Sequence, residues 1–306
     1  MSYRWLVLSC VLVACGGGDD PSTDTGAPTT GSAVVGADPD VNTFVPSGYR
    51  PANPTRLVYL GDSITAGYGS STGSMAYPAL LEDNDSSGWP GYDDLDLQST
   101  YPGLTEVIDV SRGGATTDTM LNQQLDNLED ELGGFPVSGE TIVVFTIGGN
   151  DAQLALNPLA DADEIMESGL ANMEEIVDWL LDPGHFTDGV RIYGTNIYEP
   201  TDAVGQYSGC FFGMDFAGDV ATLDSFNDDL RDLASDKGIA LVDLRGHFLG
   251  HGFYHDDPEN EHHHADDPSL WMDDDCVHPN DRGHHEIRRL FHAAIEETSL
   301  SVDVPI

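Results

Sequence analysis

The sequence predicts an α/β protein: a three-layer α/β/α sandwich built on a five-stranded parallel sheet. Three observations support this prediction. Five short apolar runs have the length of strands, segments with helical periodicity lie between them, and the two kinds of segment alternate along the chain. Such alternation is typical of a parallel sheet with right-handed crossovers and helices on both faces.

The predicted strands are continuously apolar, with little of the alternation seen in half-exposed strands. They are Arg56–Leu60, Thr105–Val110, Thr141–Ile147, Val190–Ile197 and Ile239–Leu244. Continuous apolar strands are typical of a parallel sheet that is buried on both faces. In sheets of this kind, ligands bind beyond the carboxyl ends of the strands, so we expect the functional residues there.

Four helical segments are predicted between and after these strands. Two are the amphipathic stretches Thr117–Leu132 and Asp163–Leu181. Two more are indicated by apolar residues spaced three and four apart. These stripes are Val220, Leu223, Phe226, Leu230 and Leu233, and then Ile287, Leu290, Phe291, Ala294 and Ile295.

The N-terminus has the features of an export signal. Arg4 precedes an apolar run, Trp5–Ala14, that is too short to span a bilayer, so residues 1–14 are predicted to be a signal peptide. Leu12-Val13-Ala14-Cys15 resembles the lipobox of bacterial lipoproteins, in which the signal is cut before the cysteine and the thiol is acylated. The resemblance implies a lipidated Cys15 and a protein anchored to the bacterial outer membrane or cell surface. A plain signal peptide, with full secretion, is the alternative.

The next segment, residues 15–54, is rich in Gly, Pro, Ser, Thr and Asp. Few large apolar residues are available to form a core, so we expect a flexible linker that carries the lipidated cysteine. The folded domain is expected to span residues 55–306.

The charge of the chain limits its partners. There are 54 acidic against 11 basic residues, for a formal net charge of −43 and a pI near 4.1. Such a surface repels nucleic acid and anionic lipid headgroups, which excludes both as partners. Contact with a membrane is therefore expected only through the N-terminal lipid anchor.

Polar motifs follow the first three predicted strands. Gly61-Asp62-Ser63 comes directly after the first strand, and Gly113-Gly114-Ala115-Thr116 comes after the second. Gly148-Gly149-Asn150-Asp151 comes after the third. Each motif alone is also ordinary turn chemistry, but together they can supply a hydroxyl, a backbone N–H and an amide donor to one cleft.

A fourth motif, Asp275-Cys276-Val277-His278, lies just before the last helix. An aspartate three residues before a histidine can orient the imidazole, which leaves the second ring nitrogen as a base. Taken alone, this stretch could equally be a solvated acidic loop, because Asp273 and Asp274 are acidic too.

These four motifs, in this order, make residues 56–298 similar to the SGNH hydrolase superfamily, also called GDSL lipases and esterases. The resemblance implies a flavodoxin-like SGNH hydrolase fold and a small-molecule ester or lipid substrate. It implies Ser63 as nucleophile, His278 as base and Asp275 as the residue that orients it. The oxyanion hole would consist of the Ser63 and Gly114 N–H groups and the Asn150 amide. A carboxylic ester hydrolase is therefore expected, with no required cofactor.

Two other functions share these features. A carbohydrate O-acetylesterase can use the same residues, and a non-catalytic surface-binding lipoprotein could retain the fold. A binding protein has no need for the complete Ser–Asn–Asp–His set, which disfavours the last alternative.

Three further sites are weaker predictions. Cys210 and Cys276 are an even pair in an oxidising compartment, so a disulfide between them is plausible. Asp83, Asp85, Ser87, Gly88 and Asp94 have EF-hand-like spacing for structural calcium, although Pro90 and the terminal aspartate depart from that pattern. The histidines of residues 247–264 could bind zinc, but no clean ligand spacing is present, and a solvated loop is the favoured interpretation.

Overall fold

A computed structural model describes residues 31–34, 41–84, 89, 91–92, 95–157, 159–207 and 220–298. Seven strands form one sheet, in the order β1-β2-β7-β6-β5-β3-β4. The strands are β1 Gly31–Val34, β2 Thr43–Pro46, β3 Pro54–Gly61, β4 Glu106–Asp109, β5 Glu140–Thr146, β6 Val190–Thr195 and β7 Ala240–Val242. The strands β3 to β7 pair in parallel, as predicted, and β1 and β2 add an antiparallel edge.

The antiparallel edge corrects the predicted linker boundary. Strand β2 pairs with β7 through Phe44 and Leu241, and Val41 and Val45 are buried in the core. The Thr43 hydroxyl accepts a 2.9 Å hydrogen bond from the Asp243 N–H. A linker that extends to residue 54 is therefore wrong, because the folded domain includes residues 41–54 and the strand β1. These strands have only four residues each, too short for periodicity to reveal them.

Helices cover both faces of the sheet. They are α1 Tyr77–Glu82, α2 Leu97–Thr100, α3 Thr117–Thr119, α4 Leu125–Leu132, α5 Gly149–Ala155, α6 Ala162–Leu180, α7 Val220–Lys237, α8 Leu244–Phe248 and α9 Asp281–Glu296. A π-helical turn, Met120–Gln124, joins α3 to α4, so the predicted helix over 117–132 is present with one wide turn inside it. The predicted helices in the regions of α6, α7 and α9 are confirmed.

Side chains of β3 show how the two layers form. Leu57 and Tyr59 point to one face, where they pack with α1 and α9, whereas Val58 and Leu60 point to the other, where they pack with α4, α6 and α7. Because side chains alternate along a strand, a strand that is buried throughout needs apolar residues on both faces. The predicted three-layer sandwich is confirmed.

No helix within the described ranges is long and apolar enough to cross a membrane. The predicted signal peptide and Cys15 lie outside the described residues.

Candidate active site

Ser63 lies in a tight turn at the carboxyl end of β3. The strand ends at Gly61, whose φ of +122° suits glycine, and a Cβ there would lie 2.2 Å from the Thr146 carbonyl oxygen. The Gln124 side chain donates to the Gly61 carbonyl (2.7 Å) and accepts from its N–H (2.8 Å). These contacts fix the direction in which the chain leaves the sheet, and Ser63 follows two residues later with 8% of its surface exposed.

Three side chains form a continuous hydrogen-bonded series. The Ser63 hydroxyl lies 2.8 Å from His278 Nε2, and His278 Nδ1 lies 2.5 Å from an Asp275 carboxylate oxygen. In this arrangement the carboxylate fixes the imidazole tautomer, and Nε2 can take the serine proton. The structure thus brings together three of the residues that the sequence singled out.

The loop before α9 holds Asp275 and His278 in this geometry. The second Asp275 oxygen accepts 2.9 Å hydrogen bonds from the Val277 and His278 N–H groups. Partial burial is the largest single influence on the pKa of Asp275 and acts to raise it, but the side-chain bond to His278 and these two backbone bonds together lower the pKa. The Asn280 amide donates to the carbonyls of Leu270 and Met272, which closes the base of the loop.

Cys276 lies inside this loop and is disulfide-bonded. It is buried and has a φ of +64°, a conformation that few non-glycine residues adopt. Cys210, its predicted partner, lies outside the described residues, so that pairing stays a prediction. A covalent link at Cys276 restrains the loop that carries His278.

Gly114 and Asn150 follow β4 and β5, the two strands that flank β3 in the sheet. The Asn150 amide donates a 2.8 Å hydrogen bond to the Ala115 carbonyl. One amide hydrogen makes this bond, and the same NH₂ group carries a second hydrogen. Gly114 has a φ of +76°, so its backbone conformation favours glycine. Gly113 packs closely against Tyr68, since a Cβ on it would lie 3.0 Å from the Tyr68 ring.

Two buried aspartates that sequence reasoning did not single out support these motifs. Asp151 accepts from the N–H and the hydroxyl of Thr117, which ties the start of α5 to the start of α3. Asp62, next to Ser63, accepts at one oxygen from the Ile64 N–H (3.0 Å) and the Thr146 hydroxyl (2.9 Å). Burial raises the pKa of Asp62 to about 6. Asp62 and Asp151 lie inside the sequence motifs that contain Ser63 and Asn150. Their place in these motifs is the sequence feature that could have indicated a supporting role.

A cavity of about 460 Å³ opens beside Ser63. Ser63 and Asn150 line it at one side, and α5, α6, α7 and residues 195–200 supply most of the remaining wall. The wall is mainly apolar and includes Ile147, Ala155, Leu156, Met166, Ile197 and Leu223. Cavities of this size and character accommodate small organic ligands.

The predicted metal sites receive no support within the described ranges. No group of three or more potential metal ligands is found there. Asp83 ends α1, and Asp85, Ser87, Gly88 and Asp94 lie outside the described residues, so the calcium hypothesis is untested.

The histidine-rich segment is more ordered than the predicted solvated loop. His251 is buried and stacks on Trp271, with a ring-centroid distance of 3.5 Å, and bonds to the Ser269 carbonyl. His247 bonds to the buried Glu286 at 3.0 Å. His247 and His251 are thus buried side chains that pack against Glu286 and Trp271, and they are not solvated.

Comparison with known proteins identifies the family. The α/β fold, with a serine at a strand end hydrogen-bonded to a histidine–aspartate pair in the loop before α9, is that of an enzyme of the carboxylic ester hydrolase class. The model of the GDSL-like lipase/acylhydrolase family matches residues 59–286. The chain belongs to this family. No curated protein sequence matches it.

Solved structures show the same fold at low sequence identity. LAE5, an alpha/beta hydrolase enzyme from the metagenome of Lake Arreo, Spain, aligns with a TM-score of 0.51 and 21% identity, covering 81% of this chain and 98% of that one. Phospholipase A1 from Streptomyces albidoflavus NA297 aligns with a TM-score of 0.50 and 19% identity, covering 80% and 100%. The acetyl xylan esterase AlAXEase aligns with a TM-score of 0.50 and 18% identity, covering 78% of this chain and 99% of that one.

Proposed function

We propose that this protein is a serine-dependent carboxylic ester hydrolase in which Ser63 is the nucleophile. The observation that carries the proposal is the 2.8 Å contact between the Ser63 hydroxyl and His278 Nε2, with Asp275 on the other ring nitrogen. A serine hydroxyl is a weak nucleophile at neutral pH unless an adjacent base removes its proton.

The reaction proceeds in two acyl-transfer steps. His278 takes the Ser63 proton as Oγ attacks the ester carbonyl, and it then gives that proton to the departing alcohol. Water, deprotonated by His278, attacks the acyl-enzyme, and the proton returns to Ser63 as the acid leaves. Asp275 stays ionised throughout, and it stabilises the imidazolium in both steps.

The negative charge that develops on the carbonyl oxygen needs donors already in place. The N–H groups of Ser63 and Gly114 and the second hydrogen of the Asn150 amide are proposed to supply them. Loss of one such donor costs roughly 10²–10³ in kcat in other acyl-transfer enzymes, so Asn150→Ala is expected to fall in that range.

The cavity favours acyl chains longer than acetyl. An acetyl group would leave most of a 460 Å³ apolar space unfilled, whereas each methylene buried there contributes roughly 0.8 kcal/mol. This favours an esterase or lipase over the alternative, a carbohydrate O-acetylesterase. The complete hydrogen-bonded series from Ser63 to Asp275 argues against a non-catalytic surface-binding lipoprotein, since binding alone does not need it.

A panel of p-nitrophenyl esters from acetate to palmitate tests the proposal. Ser63→Ala should abolish turnover of every ester, whereas Ser138→Ala, an exposed serine before β5, should behave as wild type. Full turnover by Ser63→Ala would refute the assignment. A preference for acetate over all longer chains would favour the O-acetylesterase.

A matched pair of variants tests the acyl cavity. Ala155→Trp, at a residue that lines the cavity, should lower kcat/KM for octanoate by at least about tenfold relative to acetate. Ala221→Trp introduces the same side chain on the exposed side of α7 and should leave that ratio unchanged. Equal ratios in both variants would show that the acyl chain lies elsewhere.

We also propose that the protein is exported and anchored through a lipidated Cys15. This second proposal rests on the sequence of the N-terminus. The anchor plays no part in the proposed reaction, whose steps use only groups of the chain itself. Cys15→Ala should move the full-length protein from the membrane fraction to the soluble fraction after expression in a bacterial host. If Cys15→Ala and the wild type are distributed equally between the two fractions, Cys15 is not the anchor, and the protein is either secreted or anchored in another way.

A further inference from the structure

Tyr68 has a fixed backbone and an exposed side chain. Its N–H donates to the Ser63 carbonyl at 2.9 Å, and its own carbonyl accepts from His284 Nε2 at 2.8 Å. Gly67 and Gly69, on either side, have φ values of +82° and +88°. The Tyr68 side chain nevertheless remains 54% exposed, although large aromatic groups in this structure are mostly buried.

The ring of Tyr68 spans two parts of the active site. Its centroid lies 5.5 Å from that of the His278 imidazole, with the two planes tilted by 36°. At the other end of the ring, a Cβ on Gly113 would lie 3.0 Å from both Cζ and the phenol oxygen. The ring thus bridges the proposed base and the glycine segment before Gly114.

Tyr68 lies outside the acyl cavity. Ser63, Asn150 and Val277 line the cavity, but Tyr68, Gly113 and His278 do not. In the proposed mechanism, His278 hands its proton to the departing alcohol, so the alcohol oxygen must lie against the imidazole when it leaves. The side chain that packs on that imidazole from outside the acyl cavity is therefore next to the alcohol part of the ester.

We propose that Tyr68 and Gly113 form a subsite for the alcohol part of the substrate, and that this subsite selects non-anionic alcohols with a flat, ring-shaped face. The inference rests on the proposed function. An exposed aromatic face gains most from another ring that stacks on it, by about 0.5–1.5 kcal/mol beyond area burial. The net charge of −43 disfavours anionic alcohols. Aryl alcohols and pyranose sugars share this flat-faced chemistry.

Three butyrate esters with different alcohols test the subsite in the full-length enzyme: phenyl butyrate, butyryl glucose and methyl butyrate. The acyl group is constant, so kcat/KM reports how the alcohol is recognised up to its departure. Tyr68→Ala and Tyr68→Leu should lower kcat/KM for at least one ring ester about two- to tenfold more than for methyl butyrate. Tyr68→Phe should retain the wild-type ratios. The ring ester that responds identifies the source, an aryl or a sugar alcohol.

A matched control and a pH profile separate this role from a structural one. Leu154→Ala removes an equally exposed apolar group on α5 and should leave the alcohol ratios unchanged. The acidic limb of the kcat/KM profile should stay in place in Tyr68→Leu. Equal losses on all three esters, a shifted acidic limb or unchanged ratios would each overturn the proposal. The proposed function fails separately, since it requires only that Ser63→Ala be inactive.

Discussion

Ser63 and His278 are within hydrogen-bonding distance, yet the segments that carry them are built in different ways. The serine turn continues β3, an interior strand of the sheet, and is fixed by a short chain of buried hydroxyls. Thr65 bonds to the hydroxyls of Tyr77 and Thr146 (2.8 Å each), and Thr146 in turn bonds to Asp62. The histidine loop belongs to no strand, and its position depends on contacts from distant segments.

A third buried aspartate, Asp202, organises residues 250–254, which come before the histidine loop in the chain. Asp202 accepts from the N–H groups of Gly250 (2.9 Å), Gly252 (2.7 Å) and Tyr254 (2.8 Å), and it holds the segment that precedes the loop. The Tyr198 hydroxyl donates to the Val277 carbonyl inside the loop. The sheet therefore positions the serine half of the site, whereas a polar network between loops positions the histidine half.

The largest expected effect comes from breaking that polar network. Asp202→Ala leaves two buried N–H groups and a partly buried one without their acceptor, and each buried group costs about 1–3 kcal/mol. We expect the free energy of unfolding to fall by at least about 2 kcal/mol in denaturant titrations, and esterase activity to fall with it. Asp266→Ala, at an exposed carboxylate in the same region, is the control and should change stability little. Equal stability of the two variants would show that Asp202 does not hold the loop.

The aspartate beside the serine should behave in the opposite way. Burial raises the pKa of Asp62 to about 6, above the value of about 3.9 in an unfolded chain. Ionising the buried Asp62 therefore lowers the free energy of unfolding. This loss is absent below about pH 4, grows as the pH rises and is complete above about pH 6. The Ile64 N–H and the Thr146 hydroxyl both donate to the same Asp62 oxygen, which asparagine can also supply.

Asp62→Asn should accordingly raise the free energy of unfolding at pH 8 by up to about 3 kcal/mol. The gain should shrink toward zero below pH 4. Denaturant titrations of the variant and the wild type at pH 8 and pH 3.5 measure it. A loss of stability at pH 8 would mean that the ionised carboxylate is required under Ser63.

His284 joins the two regions, and its effect on stability changes with pH in the opposite direction to that of Asp62. It bonds through Nδ1 to the Tyr77 N–H and through Nε2 to the Tyr68 carbonyl, which requires a neutral ring. Burial lowers the pKa of His284 to about 4, against about 6.5 in an unfolded chain. As the pH falls from 6.5 to 4, the unfolded state takes up the proton first, so native stability falls.

His284→Gln should reduce that slope by roughly 1 kcal/mol per pH unit, while His251, whose pKa is lowered to about 4, retains its own part. Stability of the variant and the wild type is measured from pH 7 to pH 4. Parallel curves would show that His284 is not the neutral link between Tyr68 and α9.

The same contrast explains what the sequence could predict. Gly61, Ser63, Gly114 and Asn150 follow strands, and strands are readable from continuous apolar runs, so the serine side of the site was foreseeable. The pair Asp275–His278 was foreseeable from its own spacing and its place before a helix. The contacts of Asp202 and Tyr198 were not, because they join residues about 50 to 80 positions apart through turns that have no periodic pattern.

Strands β1 and β2 show the same limit at the edge of the sheet. The residues around them have the composition of a linker, and β2 is a strand because it pairs with β1 on one side and with β7 on the other. Local pattern indicates elements that bury many apolar residues of their own. It does not indicate short segments whose conformation depends on a distant partner.

The central claim is that Ser63 is activated by His278, and covalent labelling tests it most directly. Wild-type protein is treated with a fluorophosphonate probe, and the modified residue is located by peptide mass spectrometry. One adduct on Ser63 is expected, with labelling lost in Ser63→Ala and strongly slowed in His278→Ala. Labelling at another residue, or equal labelling rates with and without His278, would contradict the account.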